Sequence, residues 1–312
     1  MFKNVTQYIA KALNSKYICK LIAIVLVITL FNFVSLIGEL NYAFADTFDC
    51  YDKTCRPEKA LVNSNECKKD RDYTITAINN ENEITVLSIH GGKIEDYTSE
   101  ISWDLSKRYG WNFYDFNGHI EKDTPCWNLD TSEFKDKNFP VLHITSTNFD
   151  EPDAIDLVES HKKAVSIHGF SRTEKIPKTQ TICVGGANEA QVSKFIEYIE
   201  GKRDKTDKIK DLLGYSLNII NVPASESIPQ KEKEICLKPR SLKGTDEDNI
   251  VNRTNKGLNN NDKKGGLQIE LNRKIRADLA EGKDERNASP PNKNQLLRNV
   301  IYDAINHAMV KS

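Results

Sequence analysis

The sequence predicts an α/β fold built on a mixed, mostly parallel sheet with helices on both of its faces. Short apolar, β-branched runs alternate with helical patterns along most of the chain, which is typical of strand–helix–strand units. Two of these runs end in a histidine followed directly by glycine, at His90 and His168. The 312 residues suffice for one such domain with insertions and a targeting segment.

The strands are predicted from apolar runs rich in β-branched or aromatic residues. The first run alternates in polarity and predicts an edge strand, whereas the run that ends at His90 predicts a buried strand. Gly91 and Gly92 follow it and predict a tight turn. The predicted strands are Tyr73–Ile78, Val86–His90, Trp111–Phe116, Pro140–Ile144, Ala164–Phe170, Thr181–Val184, Leu212–Val222 and Gly265–Leu271.

The helices are predicted from polar caps and helical periodicity between these runs. Thr98 or Ser99 is expected to cap the first helix, and the last helix carries an apolar face that docks on the sheet. The charged stretch 201–210 is predicted to be a solvated connection. The predicted helices are Thr98–Tyr109, Pro152–His161, Glu189–Glu200, Arg273–Ala280 and Gln295–Val310.

Residues 1–45 have the pattern of an export signal. A lysine-rich leader precedes the apolar stretch Leu21–Gly38, and Ala43-Phe44-Ala45 supplies a small-residue cleavage site. The alternative is an uncleaved membrane anchor, because about 20 apolar residues span a bilayer. We therefore expect a secreted, extracellular protein that is associated with a membrane only if this segment is retained.

The remaining chain divides into a cysteine-bearing extension, residues 46–72, and a main domain, residues 73–312. Polar, aperiodic composition predicts inserts near residues 117–138 and 223–247. The 44 basic and 45 acidic side chains give a net charge of −1, which provides no basic field for nucleic acid. No glycine-rich phosphate loop occurs in a suitable context, so a nucleotide cofactor is not expected. We expect a monomer.

The cysteine count favours disulfides. Of seven cysteines, Cys19 lies in the leader, and an even number in an exported chain permits up to three bridges of open connectivity. Free buried thiols are the alternative, and Cys183, inside an apolar strand, is expected to be a plain core residue. The other candidates are Cys50, Cys55, Cys67, Cys126 and Cys236.

His90, Glu95 and His168 have the residue types of a catalytic zinc site. Two imidazoles and one carboxylate suit Zn²⁺, with the fourth position left to water. The glycines after His90 would let it converge with Glu95 at the end of a strand, where open α/β sheets bind ligands. Each histidine alone is more often a hydrogen-bonded core or surface residue.

Three further residues are candidates for the reaction. Glu270, in the middle of a strand, could be the general base, although it could equally face solvent. Arg253 offers a planar fork for a substrate carboxylate or an oxyanion, with a surface ion pair as the alternative. His143, at another strand end, is assigned to substrate binding, with a supporting hydrogen bond as the alternative.

The ordered blocks SIHGGKIEDYTSEIS, FYDFNG, LHITSTNFDEPDAIDLV, AVSIHGF, ICVGG, NIVNR and GLQIELNRKIR resemble the poly-γ-glutamate hydrolase family, some members of which are labelled phage-related replication protein. The resemblance spans Thr85 to Arg276. It implies a zinc hydrolase with a carboxypeptidase-like open α/β core that cuts γ-glutamyl amide bonds. By position it implies zinc ligands at His90, Glu95 and His168 and a catalytic Glu270.

The expected function is therefore secreted, zinc-dependent hydrolysis of poly-γ-glutamate or another γ-glutamyl polymer. The extension, the two inserts and Lys93, where the family often has a third glycine, depart from the family pattern and leave the substrate less certain than the metal site. Two alternatives remain: a zinc amidase acting on cell-wall peptides, and a non-catalytic, metal-stabilised secreted binding protein.

Overall fold

The computed structural model describes residues 69–119, 142–170, 178–223, 230–237, 242–254, 265–281 and 293–312. Within these ranges the chain forms seven strands and seven α-helices. The strands are β1 (Tyr73–Ile78), β2 (Ile84–Gly92), β3 (Asn112–Gly118), β4 (Lys163–Phe170), β5 (Thr179–Gly185), β6 (Ser216–Asn221) and β7 (Leu267–Asn272). The helices are α1 (Thr98–Tyr109), α2 (Pro152–Glu159), α3 (Glu189–Glu200), α4 (Arg203–Leu213), α5 (Gln230–Leu237), α6 (Arg273–Glu281) and α7 (Lys293–Lys311).

The strands form one sheet in the order β1-β3-β2-β4-β7-β5-β6. The neighbours β3, β2, β4 and β7 run parallel, whereas β1 pairs antiparallel with β3, and β5 with β7. This arrangement confirms the predicted mixed, mostly parallel sheet with β1 at its edge. Because β2 and β4 are parallel neighbours, the histidines near their C-terminal ends lie at one edge of the sheet.

The two faces of the sheet are covered differently. On one face, alternate residues of β4 and β7, such as Ile167 and Ile269, pack in the largest apolar core with α1, α3, α6 and α7. The other face carries two smaller cores, one with α2 and one with α5. Between them, β4 and β7 present Ser166, His168 and Glu270. The functional side chains thus lie between two apolar cores.

The predicted turn at Gly91-Gly92 is confirmed in part, because the backbone N–H of Ile94 donates to the Gly91 carbonyl oxygen at 3.3 Å and Gly92 has a φ of 64°. Both glycines stay in β2, which shifts register after Ser88 and pairs them with Asn117 and Gly118 of β3. A Cβ on Gly91 would lie 2.2 Å from the Oδ1 atom of Asp115, so glycine is required by close packing.

Three predictions about elements are wrong. The charged stretch 201–210 lies largely in α4, which buries only one side chain, Ile209, and ends at Gly214 with a φ of 75°. The described part of the predicted strand 140–144, residues 142–144, forms no strand. The cap of α1 is Tyr97 in a left-handed conformation, not Thr98 or Ser99.

Cys183 is not a plain core residue, because it forms a disulfide with Cys236 of α5. This bridge ties the second predicted insert to β5. The signal segment, most of the 46–72 extension and most of the first insert lie outside the described residues, as do Cys19, Cys50, Cys55, Cys67 and Cys126. Among the described helices, none combines the length and apolar composition needed to cross a membrane.

Candidate metal centre and active site

Loop closure after β2 brings His90 and Glu95 together. The backbone N–H of Glu95 donates to the carbonyl oxygen of His90 at 2.9 Å, which folds the six-residue segment into a tight loop. The Thr98 hydroxyl lies within hydrogen-bonding distance of the carbonyl oxygens of both residues. The His90 Nδ1 atom then lies 3.0 Å from the Glu95 Oε1 atom.

The tautomer of His90 follows from its second nitrogen. The Nε2 atom lies 2.6 Å from the Ile144 carbonyl oxygen, which can only accept, so Nε2 carries the proton. Burial, reinforced by the charge that His143 can carry, lowers the pKa of His90 to about 4, so the ring is neutral near pH 7. The Nδ1 atom therefore presents a lone pair toward Glu95.

His168 approaches the same point from β4. Its Nδ1 atom lies 3.1 Å from the His90 Nδ1 atom and 3.7 Å from the Glu95 Oε2 atom, while its Nε2 atom is 2.8 Å from the Ser166 hydroxyl. Burial would lower the pKa of His168, but the hydrogen bond to Glu95 and the charges of Glu270 and Glu95 together raise it.

Glu95 is the acceptor shared by the whole cluster. Burial alone would raise the pKa of its carboxyl, but the hydrogen bonds from His143 and His168 hold it well below the usual value. The Oε2 atom also accepts the backbone N–H of Gly169 at 2.6 Å. Glu95 is therefore ionised and fixed between β2 and β4.

These donors fit a bound cation. The lone pair of His90 Nδ1 faces an ionised carboxylate oxygen at 3.0 Å, a repulsive contact that a cation between the atoms would make favourable. In a tetrahedral zinc site with bonds of about 2.0–2.1 Å, ligand atoms lie about 3.3 Å apart. The Nδ1 atoms of His90 and His168 lie 3.1 Å apart, and they lie 3.0 Å from Oε1 and 3.7 Å from Oε2 of Glu95, respectively. Nitrogen and carboxylate donors are also the set that zinc prefers.

His143 also belongs to the cluster, which was not expected of a substrate-binding residue. Its Nε2 atom lies 3.1 Å from the Glu95 Oε1 atom, and its ring stacks on His90 with centroids 4.1 Å apart. His90, Glu95 and His143 also satisfy the distance requirement for a three-ligand metal site. The described residues thus offer three imidazoles around one carboxylate.

Glu270 does not face solvent. It is 4 % exposed and pairs in register with His168, so both side chains lie on the same face of the sheet. Its Oε1 atom accepts a hydrogen bond of 2.8 Å from the Gln268 side-chain amide, whose oxygen accepts one from Asn249. A chain of amides therefore orients a buried carboxylate beside the metal cluster.

Arg253 lies near this region but makes none of its described hydrogen bonds to the four clustered residues. Its Nε and Nη2 atoms donate to the carbonyl oxygen of Asp248, and Nη2 also donates to that of Thr147 at 3.2 Å. Thr147 follows Ser146, whose hydroxyl lies 3.5 Å from the His168 Nε2 atom. Arg253 thus connects two loops close to the cluster.

Sequence reasoning missed the polar network behind His90. Asp115 accepts hydrogen bonds from the hydroxyls of Ser88 and Ser99 at 2.6 and 2.7 Å, and the backbone N–H of Gly92 donates to Ser99. Burial raises the pKa of Asp115, although these hydrogen bonds oppose the shift. The polar residue in the middle of the aromatic run FYDFNG is the signal that could have revealed this network.

One family model matches more than half of this chain. A sequence model described as poly-gamma-glutamate hydrolase matches residues 61–228, which include His90, Glu95, His143 and His168 but not Arg253 or Glu270.

Two curated relatives come from Bacillus subtilis (strain 168). The UPF0714 protein YndL is 32% identical over 146 residues, which cover 46% of this chain and 49% of YndL. The SPbeta prophage-derived UPF0714 protein YoqZ is 29% identical over 210 residues, which cover 66% of this chain and 55% of YoqZ. The chain thus spans about half the length of the curated relatives it matches.

Two solved structures are similar at low sequence identity. A bacteriophage poly-gamma-glutamate hydrolase is 22% identical with a TM-score of 0.46, over 76% of this chain and 87% of that chain. An apo, zinc-free structure of YndL is 24% identical with a TM-score of 0.47, over 77% of this chain and 92% of that chain.

Proposed function

The chain belongs to the poly-γ-glutamate hydrolase family, and we propose that it is a zinc-dependent hydrolase of γ-glutamyl amide bonds. The observation that carries this proposal is the convergence of His90, Glu95 and His168 beside the buried carboxylate of Glu270. A bound zinc ion would supply a Lewis acid and lower the pKa of a bound water toward about 7.

We assign the ligand set to His90, Glu95 and His168. His90 donates its Nε2 proton to a carbonyl oxygen, and His168 has a hydroxyl beside its own Nε2 atom, so each can present Nδ1 to the common point. Such outer hydrogen bonds are typical of histidines that bind metals. His143 contacts the same Glu95 oxygen as His90, and we assign it to substrate binding or to support of that carboxylate.

Glu270 is our candidate for the general base. In amide hydrolysis a proton leaves the attacking water and is later delivered to the amine nitrogen as the C–N bond breaks. A carboxylate held by Gln268 on the strand next to His168 can accept and return that proton. For Arg253 we propose a role in holding a substrate carboxylate, through donors that its two backbone carbonyl contacts do not occupy.

We propose poly-γ-glutamate as the substrate and the cell exterior as the location. Family membership supports the polymer, and the Cys183–Cys236 disulfide is the kind of bond that persists in oxidising compartments. The zinc-free structure is one of YndL. For this chain we propose zinc because its nitrogen and carboxylate donors are those that zinc prefers.

The test measures zinc content and polymer length on the same preparations of the wild type, His168→Ala and His143→Ala. We expect about one zinc per chain in the wild type and in His143→Ala, and loss of zinc and cleavage in His168→Ala. If instead His143→Ala loses zinc and His168→Ala keeps it, the ligand set is His90, Glu95 and His143.

The substrate is tested separately from the metal. Zinc binding with no cleavage of poly-γ-glutamate, but with cleavage of γ-glutamyl bonds in cell-wall peptides, would replace the polymer by peptidoglycan. Zinc binding without cleavage of either would support the binding-protein alternative. A wild-type chain that binds no zinc would contradict the proposed function.

A further inference from the structure

Arg276 is a buried arginine that connects the two halves of the site. It is 4 % exposed, on the first turns of α6. Its Nε atom donates to the carbonyl oxygen of Asp96 at 2.7 Å, and its Nη1 atom donates to that of Leu271 at 2.7 Å. Asp96 directly follows Glu95, and Leu271 directly follows Glu270. One guanidinium thus holds the two peptides adjacent to the carboxylates of the site.

Gly169 provides the space for this guanidinium. A Cβ at that position would lie 1.8 Å from the Nη1 atom of Arg276, a distance that no packing allows. The same glycine donates its backbone N–H to the Glu95 carboxylate. The glycine after His168 is therefore explained by the arginine behind it, and both residues act on Glu95.

We propose that Arg276 is a positioning residue that fixes Glu95 relative to Glu270, an inference that rests on the proposed function. Glu95 lies on the loop after β2, and Glu270 lies on β7, which is separated from β2 by β4. β2 pairs with β3 and β4, and its described pairing with β4 ends at Leu87, so the sheet provides no direct bond between the two carboxylate segments. Arg276 supplies one.

The choice of arginine follows from geometry. Only a planar fork donates in two fixed directions at once, whereas a lysine carries the same charge on a single flexible atom. The positive charge also interacts favourably with Glu95, Asp96 and Glu270. Its charge therefore offsets part of the cost of placing two carboxylates in a buried site.

The test compares Arg276→Lys with Arg298→Lys. Arg298 is a matched control because it is also buried and donates from Nε and Nη2 to one backbone carbonyl, that of Leu279, but none of its described contacts are to the site. The zinc dissociation constant is measured by competition with a chromophoric chelator, and kcat and KM on poly-γ-glutamate are measured at saturating zinc. Thermal unfolding of the metal-free proteins reports the purely structural cost.

We expect Arg276→Lys to weaken zinc binding by about 10- to 100-fold and to lower kcat with little change in KM. Arg298→Lys should lower only the unfolding temperature. Unchanged zinc affinity and kcat in folded Arg276→Lys would overturn the proposal, and a raised KM alone would make Arg276 a substrate-binding residue instead. The zinc measurement decides the role toward Glu95 even if the wild type cleaves no polymer.

Gly169→Ala provides a second test if Arg276→Lys does not fold. The added methyl displaces the guanidinium from its position, but the protein keeps the arginine and its positive charge. The expected result is a similar loss of zinc affinity, also about 10- to 100-fold. Zinc binding and kcat at wild-type levels in this variant would overturn the proposal.

Discussion

At the scale of single residues, Glu270 is the side chain whose role can be separated most cleanly from metal binding. Glu270→Gln keeps the size of the side chain and an oxygen that can accept from Gln268. Because the amide cannot accept a proton from water, we expect turnover to fall by about 10²- to 10⁴-fold. Zinc content, measured on the same sample, should stay unchanged. A variant that retains full turnover would remove Glu270 from the mechanism.

The buried, neutral state of His90 predicts a pH dependence of stability in the metal-free protein. The pKa is about 4 in the folded state against 6.5 for an ordinary histidine, so the unfolded chain takes up the proton first as the pH falls. The free energy of unfolding is therefore unaffected by the protonation of His90 above about pH 6.5. It falls by about 2 kcal/mol between that pH and about pH 5, because the unfolded state binds the proton more tightly.

The measurement compares the free energy of unfolding of metal-free wild type and His90→Gln at both pH values. His168 contributes with the opposite sign, because its raised pKa makes the folded state bind the proton more tightly. His168 is present in both proteins, so the difference between them reports His90 together with its effect on the neighbouring His168 and Glu95. An equal change in the two proteins would contradict a neutral His90.

Individual ligands were predictable to different degrees. His90 and His168 carry a local signal, a histidine at the end of an apolar run followed by glycine, and the structure brings them within 3.1 Å of each other. His143 was predicted to be a site residue with a supporting hydrogen bond as the alternative, and its contact with Glu95 is a hydrogen bond of this kind. The role of Arg276 could not be predicted from the sequence, because its partners are backbone carbonyl groups, which every residue carries.

At the scale of elements, strands were predicted better than their connections. β1 agrees with its predicted bounds because its alternation is a local property. α4 was missed because its sequence is dominated by charged residues and only one of its side chains, that of Ile209, is buried. Gly91 begins the predicted turn and also allows close approach to Asp115, and only the three-dimensional packing shows this second role.

The disulfide between β5 and α5 gives a prediction at this scale. The bridge closes a sequence separation of 53 residues and belongs to the core that contains Phe170 and Ile235. We expect replacement of both cysteines by alanine to lower the free energy of unfolding by about 2–4 kcal/mol, with zinc affinity unchanged.

Reduction provides the control for the disulfide. A reducing agent should lower the stability of the wild type by at least as much as the double substitution does, because it also opens any further bridge. Equal stability of the wild type with and without the reducing agent would mean that the bridge contributes nothing. A fall in zinc affinity would mean that α5 supports the cluster as well as the core.

At the scale of the whole molecule, the fold class was predictable but the strand order was not. Alternation of strands and helices indicates an α/β sheet without stating which strands are neighbours. The placement of β7 between β4 and β5 is what brings Glu270 beside His168, although about a hundred residues separate them in sequence. The site therefore depends on pairings between distant segments.

The two faces of the sheet predict that stability and function can be separated by choosing the core that is changed. Leu142 and Ile301 are both fully buried, but Leu142 packs in the core beside His143, and Ile301 packs on the opposite face. Each substitution by alanine removes a large aliphatic side chain and should cost about 2–5 kcal/mol of unfolding free energy. Only Leu142→Ala leaves its cavity next to the metal cluster.

We therefore expect Leu142→Ala to weaken zinc binding in addition to lowering stability, because His143 and the Ile144 carbonyl that orients His90 follow directly in the chain. Ile301→Ala should lower stability by a similar amount and leave the zinc dissociation constant unchanged. Chemical denaturation and chelator competition on both variants make the comparison. Equal losses of zinc affinity in the two variants would mean that the cluster depends on the general rigidity of the sheet. A loss confined to Leu142→Ala would mean that the cluster is supported by the apolar core on the same face of the sheet.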